Sequence, residues 1–283
     1  MDATVAMDRD VHAAVQLRDW IARHRRIFVL TGAGCSTASG IPDYRDGNGD
    51  WKRSPPVTWQ AFTADPRTYR RYWARSSIGW PRFLQARPNA AHLALAALER
   101  GGRIGMLLTQ NVDGLHRRAG NRHVIDLHGR LDEVVCLQCR ARVPRAGLQA
   151  RIQADNRHWR AVEVRMAPDG DADIDDAAVD AFAPPFCATC GGLLKPDVVF
   201  FGENVPRERY LRAHASLQGA DAMLVAGSSL MVYSGYRFAR MAVESGLPLA
   251  ILNRGRTRAD DIAGLKLEAD VGTALAAAAE LPP

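Results

Sequence analysis

The sequence predicts an α/β fold, a parallel sheet with helices on both faces into which one small module is inserted. Three observations predict it: short apolar runs alternate with segments of helical periodicity, the alternation fails between Asp132 and Pro196, and two Cys-x-x-Cys pairs bracket that gap.

The first apolar run, residues 27–30, follows a segment, 11–23, in which Ala14, Leu17 and Ile21 recur at helical spacing. Similar runs stand at 104–108, 124–127, 198–201, 222–225 and 249–252, with helical stretches at 90–98, 206–217 and 236–244 between several of them. Strands that are apolar throughout and separated by helices belong to a parallel sheet buried on both faces. The expected division is a Rossmann-like domain formed by 11–131 and 197–283, with 132–196 as the insert. No internal repeat is visible.

Composition narrows the function classes. A chain of 283 residues, 47% of them hydrophobic, can build one large core and a satellite. No stretch reaches the roughly 18 uninterrupted apolar residues of a membrane span. The opening residues lack an apolar signal core and include Asp2, Asp8 and Asp10, unlike an acid-poor presequence, so the expected location is the cytoplasm, with no membrane partner. The net charge of +6 comes almost entirely from scattered arginines, the only lysines being Lys52, Lys195 and Lys266. With no basic run interleaved with aromatics, no nucleic-acid partner is expected.

Five cysteines, an odd number, without an export signal argue against a disulfide framework. Cys136, Cys139, Cys187 and Cys190 instead supply four thiolates, the number and type for one tetrahedral structural zinc ion. Four protein ligands leave no open position, unlike the zinc hydrolases, which need one for water. A dithiol redox role is the competing reading. The acidic run at 169–180 has Ile174 where a calcium loop needs glycine and Asp180 where it needs a bidentate glutamate, so a solvated loop is expected.

Directly after the first strand comes Thr31-Gly-Ala-Gly-Cys-Ser-Thr-Ala-Ser-Gly40. Glycines there let backbone N–H groups approach a pyrophosphate, and a following helix N-terminus adds positive potential, although a plain tight turn uses the same residues. The spacing departs from G-x-G-x-x-G, and Asn253 rather than an acidic residue follows the run at 249–252, which disfavours a hydride-transfer dehydrogenase.

Five blocks then stand in order: Gly32-Ala-Gly-Cys-Ser-Thr-Ala-Ser-Gly-Ile-Pro-Asp-Tyr-Arg45, Thr109-Gln-Asn-Val-Asp-Gly-Leu-His116, Leu127-His128-Gly129, Lys195-Pro-Asp-Val-Val-Phe-Phe-Gly-Glu203 and Gly227-Ser-Ser-Leu230. In order and spacing they resemble the sirtuin family, over residues 11–275. Arg71-Tyr-Trp-Ala-Arg75, Ser234-Gly-Tyr-Arg-Phe238 and Leu252-Asn-Arg-Gly-Arg-Thr-Arg-Ala-Asp-Asp261 further resemble its class II branch, which includes the mitochondrial lipoamidase type, as do the 47 residues between the cysteine pairs. Cys35 departs from the family's usual aliphatic residue, and Val271 from a cysteine common near the adenine.

The resemblance implies an NAD-dependent protein-lysine deacylase that consumes NAD, releases nicotinamide and yields O-acyl-ADP-ribose, acting on acyl-lysine proteins or peptides. The acyl oxygen attacks the nicotinamide ribose, and a ribose hydroxyl then attacks the resulting imidate, a step that needs a general base near neutral pH; His128 matches that base. Residue by residue, Gly32, Ala33 and Gly34 match the pyrophosphate turn, Asp43 with Ile41 the nicotinamide pocket, and Tyr44 and Arg45 the cofactor loop. Gln110, Asn111 and Asp113 match contacts to the nicotinamide ribose, Asn111 with a catalytic share. Gly227, Ser228, Ser229, Asn253, Arg254 and Gly255 match phosphate and adenosine contacts, and Val271 lies near the adenine. Turn formation remains an open alternative for Ser228 and Ser229.

The 197–203 stretch reads as a strand whose edge pairs with an extended peptide, the Val199 carbonyl holding the acyl-lysine N–H and Phe201 lining the tunnel for its stem. Tyr72 and Arg75, three apart on a helix, have the spacing that sirtuins removing acidic acyl groups use; a packing tyrosine and a solvated arginine are the equal alternative. Cys35 is either a redox-sensitive thiol near the phosphates or a small buried hydrophobe. Two other function classes stay open, a mono-ADP-ribosyltransferase on the same NAD site and a zinc-ribbon binding module without chemistry.

Overall fold

A computed structural model describes residues 3–52, 56–159 and 176–280. The chain forms two compact units, one made of Met1–Arg53, Arg87–Leu127 and Val205–Pro283, the other of Ser54–Ala86 and His128–Asn204.

The first unit carries a six-stranded sheet of β1 (Ile27–Thr31), β2 (Ile104–Thr109), β3 (Val124–Asp126), β7 (Ala222–Ala226), β8 (Leu249–Leu252) and β9 (Leu265–Leu267) in the order β3-β2-β1-β7-β8-β9. Every pairing is parallel. Side chains alternate between faces along a strand, and β1 shows it. Ile27 and Val29 pack with Leu17, Trp20 and Ile21 of α1 (Ala3–Ala22), Leu95 and Leu98 of α4 (Ala90–Arg100), and Leu275 of α10 (Val271–Ala279). Phe28 and Leu30 pack with Leu217 of α8 (Arg207–Gln218) and Phe238 and Ala242 of α9 (Tyr233–Glu244) on the other face. Both faces are therefore covered, as the apolar runs imply. A short helix, α5 (Leu115–Ala119), follows β2.

The second unit holds a three-stranded antiparallel sheet, β5 (Arg142–Pro144), β4 (Gly129–Cys136) and β6 (Leu194–Val198) in that order. Among the described residues, four helices accompany it: α2 (Trp59–Ala64), α3 (Pro66–Gln85), α6 (Arg145–Asp155) and α7 (Asp176–Asp180). Its core is aromatic. Phe62 stands edge-on to Phe200 at 4.9 Å and to Tyr72 at 5.2 Å. From α3, the Tyr69 hydroxyl donates to the Pro185 carbonyl at 2.5 Å and accepts from the Leu194 N–H at 3.0 Å, while the Trp73 indole donates to the Leu194 carbonyl at 3.2 Å. These bonds join residues 54–86 to the insert, so this unit is larger than the 132–196 that the lapse in alternation delimits.

Of the acidic run, 169–175 lies outside the described residues, and 176–180 forms α7, where Asp180 pairs with Arg67 at 3.2 Å. Among the described residues no helix is long and apolar enough to cross a membrane.

Candidate active site and metal centre

The strand order of the large sheet reverses direction between β1 and β7. In open parallel sheets ligands bind outside the carboxyl ends of the strands at that reversal, because the two flanking loops there diverge and leave a crevice. The loops concerned are the glycine segment after Thr31 and the Gly-Ser-Ser segment after Ala226.

The two loops interlock. Gly34 N–H donates to the Gly227 carbonyl at 2.9 Å, Gly32 N–H to that of Ala226 at 3.3 Å, and Gly227 N–H to that of Leu252 at 2.9 Å. A Cβ on Gly32 would stand 2.7 Å from the Ser228 Cβ, and one on Gly227, whose φ is +62°, 2.5 Å from the Cys35 nitrogen. The glycines are thus required by loop–loop contact, and the amides of Gly32 and Gly34 are bonded within the protein. The segment that follows is two 3-10 turns, Ala33–Cys35 and Thr37–Ser39, in place of the helix N-terminus that the glycine motif suggests.

Asn111 sits behind this turn, 9% exposed, its amide donating to the Gly32 carbonyl at 2.9 Å and to Ser36 Oγ at 3.0 Å. The Ser36 hydroxyl donates to Asp113 at 2.7 Å, whose other oxygen accepts the Leu115 N–H at 2.8 Å. Burial pushes the Asp113 carboxyl above its ordinary range. The Ser228 hydroxyl donates to Gln110 Oε1 at 2.7 Å. Amide, hydroxyl and carboxylate groups are thereby gathered at the switch point, a donor and acceptor set suited to a sugar–phosphate ligand.

Further around the first unit, Asp43 pairs with Lys52 at 2.5 Å. The Arg45 guanidinium lies 4.0 Å over the Trp51 ring and donates to the Gly49 carbonyl, and Tyr44 meets the same tryptophan edge-on. This 43–52 loop reaches the segment after β8 through a 2.9 Å bond from Arg256 N–H to the Gly47 carbonyl, beside Gly255. The Ser229 carbonyl accepts from Arg258 N–H at 2.8 Å, and the Asn253 amide turns back onto the Arg254 and Gly255 carbonyls. Arg254 lies between Asp10, at 3.8 Å, and Asp270, at 3.6 Å. Val271 opens α10 and is buried.

Cys35 is 1% exposed, its thiol donates to the Ala226 carbonyl, and burial followed by the charge of Asp113 pushes its pKa up to about 12. It is the small buried hydrophobe, with no thiolate character for an oxidant to exploit. Behind the turn lie two buried histidines whose rings are 4.7 Å apart, His92 and His116, the latter 2.9 Å from Thr31 Oγ1.

In the second unit His128 precedes β4 and its carbonyl accepts the Val199 N–H at 2.8 Å. The strand expected across Phe201 ends at Val198, because a glycine turn at Gly202 (φ +79°) closes the segment. Phe201 instead bridges to Thr58, its carbonyl accepting from the Trp59 N–H at 2.8 Å. Val198 and Phe200 are both buried, and Val199 between them is half-buried. Tyr72 and Arg75 do share helix α3; Tyr72 is buried against Phe62 and Phe200, and Arg75 is half-buried.

The four paired cysteines converge, their sulfurs all within 4.8 Å of one another, with Cys136–Cys190 at 3.6 Å and Cys139–Cys187 at 3.7 Å. Four sulfurs at about 2.3 Å from a tetrahedral zinc ion stand about 3.8 Å apart, so the set fits that ion. Two matching turns make the arrangement: Arg140 N–H returns to the Cys136 carbonyl at 3.1 Å and Gly191 N–H to that of Cys187 at 2.9 Å. Both closing residues have left-handed φ, 63° at Arg140 and 72° at Gly191.

Sequence reasoning gave no role to Ser36, although it stands inside the glycine block, or to Lys195 and Glu203, which form a pair at 2.9 Å. Lys195 had a signal, as one of three lysines in an arginine-rich chain.

The Sir2 family matches residues 32–234. An NAD-dependent protein deacetylase of Xanthomonas campestris pv. campestris (strain 8004) is 62% identical over 260 residues, covering 92% of this chain and 89% of its own. A Sir2 structure with a p53 peptide and NAD+ superposes with a TM-score of 0.71 at 34% identity, covering 92% of this chain and 94% of that one. A Sir2 variant holding a deacetylated p53 peptide and 3′-O-acetyl-ADP-ribose gives 0.74 at 33% identity, covering 93% and 95%.

Proposed function

The chain belongs to the Sir2 family, and from that premise we propose that it is an NAD-dependent protein-lysine deacylase of the class II branch. The observation that carries this reading is the set of polar groups at the strand-order reversal of the large sheet, where Asn111, Ser36 and Asp113 form one hydrogen-bonded chain against the glycine turn.

NAD supplies an activated ribose as the acceptor of the acyl group and is consumed. Gln110, Asn111 and Asp113 orient the nicotinamide ribose, with Asp43, Tyr44 and Arg45 at the nicotinamide end. Gly32, Ala33, Gly34, Gly227, Ser228 and Ser229 border the phosphates; Asn253, Arg254, Gly255 and Val271 border the adenosine. His128 takes the proton from the ribose hydroxyl, the Val199 carbonyl holds the acyl-lysine N–H, and Phe201 lines its stem. Cys136, Cys139, Cys187 and Cys190 hold one zinc ion that closes the 132–196 insert and, with four protein ligands, leaves no position for substrate. Acyl-lysine proteins of the cytoplasm are the partners. Tyr72 and Arg75 select acidic acyl groups; a buried tyrosine and a half-buried arginine one turn apart on α3 support that choice.

The test is nicotinamide release from NAD across a panel of acetyl-, succinyl-, glutaryl- and lipoyl-lysine peptides, with adenine-labelled NAD followed in parallel. Acyl-dependent release with the label on free O-acyl-ADP-ribose is expected. Label retained on protein would make it an ADP-ribosyltransferase, and no release at all would leave a binding module.

A further inference from the structure

Lys195 is 4% exposed, a place where an ammonium survives only if it is paired and hydrogen-bonded. Its partner is Glu203, at 2.9 Å. The pair does more than neutralise itself. The ammonium also donates to the Val198 carbonyl, and the same Glu203 oxygen accepts the Phe200 N–H at 2.9 Å. The two charged groups therefore grip the main chain immediately before and immediately after Val199. The Val199 N–H is fixed separately, by the His128 carbonyl at 2.8 Å, and Glu203 N–H closes back on the Phe200 carbonyl at 3.0 Å.

The cation also rests on aromatic faces, 4.9 Å from the Phe200 centroid and 5.5 Å from that of Trp59. Phe200 in turn packs on Tyr72 at 5.3 Å, and Trp59 N–H holds the Phe201 carbonyl. A single ion pair thus touches the residue before Val199, the residue after it, and both rings next to the ones assigned to the acyl-lysine.

We infer that Lys195 and Glu203 are positioning residues for the acyl-lysine peptide: their ion pair sets the direction of the Val199 carbonyl, so that substrate affinity depends on it while cofactor affinity does not. The inference rests on the deacylase reading and on the role given there to Val199. Neither residue touches the reacting atoms; they act through the strand segment between them. A charge-assisted bond of this kind is strong enough that losing it lowers binding roughly tenfold or more.

The experiment compares wild type with Glu203→Gln, which keeps the shape and one acceptor, and with Lys195→Met, which keeps the apolar stem. KM is measured separately for an acyl-lysine peptide and for NAD, with thermal midpoint and zinc content as checks on folding. We expect the peptide KM to rise roughly tenfold in Glu203→Gln with the NAD KM within about twofold, while the midpoint falls because the buried ammonium loses its counter-charge, and the double variant to lose less than the single ones together. An unchanged peptide KM, or peptide and NAD constants rising in parallel, overturns the inference and makes the pair a stabilising contact only. Should Lys195→Met fail to fold, Glu203→Gln decides alone. A wild type that turns over no acyl-lysine peptide overturns the deacylase reading and this inference with it, and shows before any variant is made.

Discussion

The two units hold their functional groups by different means. In the first, each assigned group leaves from a loop beyond a parallel strand or from the start of a helix, and main-chain bonds fix the loops, such as those from Gly34 to Gly227 and from Gly227 to Leu252. In the second, His128 and Val199 sit at the ends of short antiparallel strands joined by one main-chain bond, and side chains brace those strands: an aromatic cluster, a buried ion pair and four convergent thiols. A site set by chain topology survives most side-chain changes, whereas one set by a few side chains fails with them.

The largest expected effect follows for the metal. A structural zinc ion contributes about 10–16 kcal/mol of apparent folding free energy in small modules. Cys136→Ser or Cys187→Ser, or a strong chelator, should strip amide-exchange protection from β4 and β6 while β1 and β7 stay protected. Uniform loss across both units would erase the contrast; full activity in a folded, verified zinc-free protein would remove the metal from the account.

Next is His128→Ala. A general base is worth about 10²–10⁴ in rate, so deacylation should fall by that factor, while the bond from Val199 N–H to the carbonyl of residue 128 is kept in the variant. A variant keeping most of its turnover would sink the assignment.

The first unit has its own weakness, which is acid. Burial holds His92 down to about 4, and holds His116 well below its ordinary value. Both rings fold neutral, and the unfolded chain binds their protons near 6.5. Their stability is therefore complete above about pH 6.5 and declines as pH falls from there towards the folded values, by about 1.4 kcal/mol per pH unit for each ring. Denaturant midpoints between pH 7 and 5 should show it, with a shallower slope in His92→Gln; identical slopes would place the acid sensitivity elsewhere.

The smallest effect concerns the acyl group. Arg75→Met should lower kcat/KM for succinyl- or glutaryl-lysine roughly tenfold more than for acetyl-lysine. Equal losses, or a wild type strongly preferring acetyl-lysine, would show that Tyr72 and Arg75 pack rather than select.

The first unit was the more legible from sequence because its signals are local. Residues 27–30, 222–225 and 249–252 are apolar throughout and mark β1, β7 and β8 nearly residue for residue. The glycine block marked the loop at the strand-order reversal, but not why its glycines are needed there: Gly32 and Gly227 admit a neighbouring loop that no local pattern reveals. In the second unit the cysteine pairs were legible from spacing alone, yet the membership of α3 was not. It depends on Tyr69 and Trp73 meeting residues 116 and 121 positions further along the chain. Phe201 was misplaced for a related reason: an apolar run continues past Val198 although the backbone turns at Gly202.

The clasp between the loop ends of β1, β7 and β8 bears on the thermodynamics of cofactor arrival. Ordering a loop residue costs about 1–2 kcal/mol of conformational entropy. In this molecule the bonds from Gly32, Gly34 and Gly227 meet that cost during folding, before any ligand is present. Dinucleotide association should then carry a small entropic penalty at this turn, which calorimetry can register. A Gly34→Ala substitution would return the penalty to the binding step, since its Cβ would meet the Gly227 carbonyl at 2.9 Å and spring the clasp.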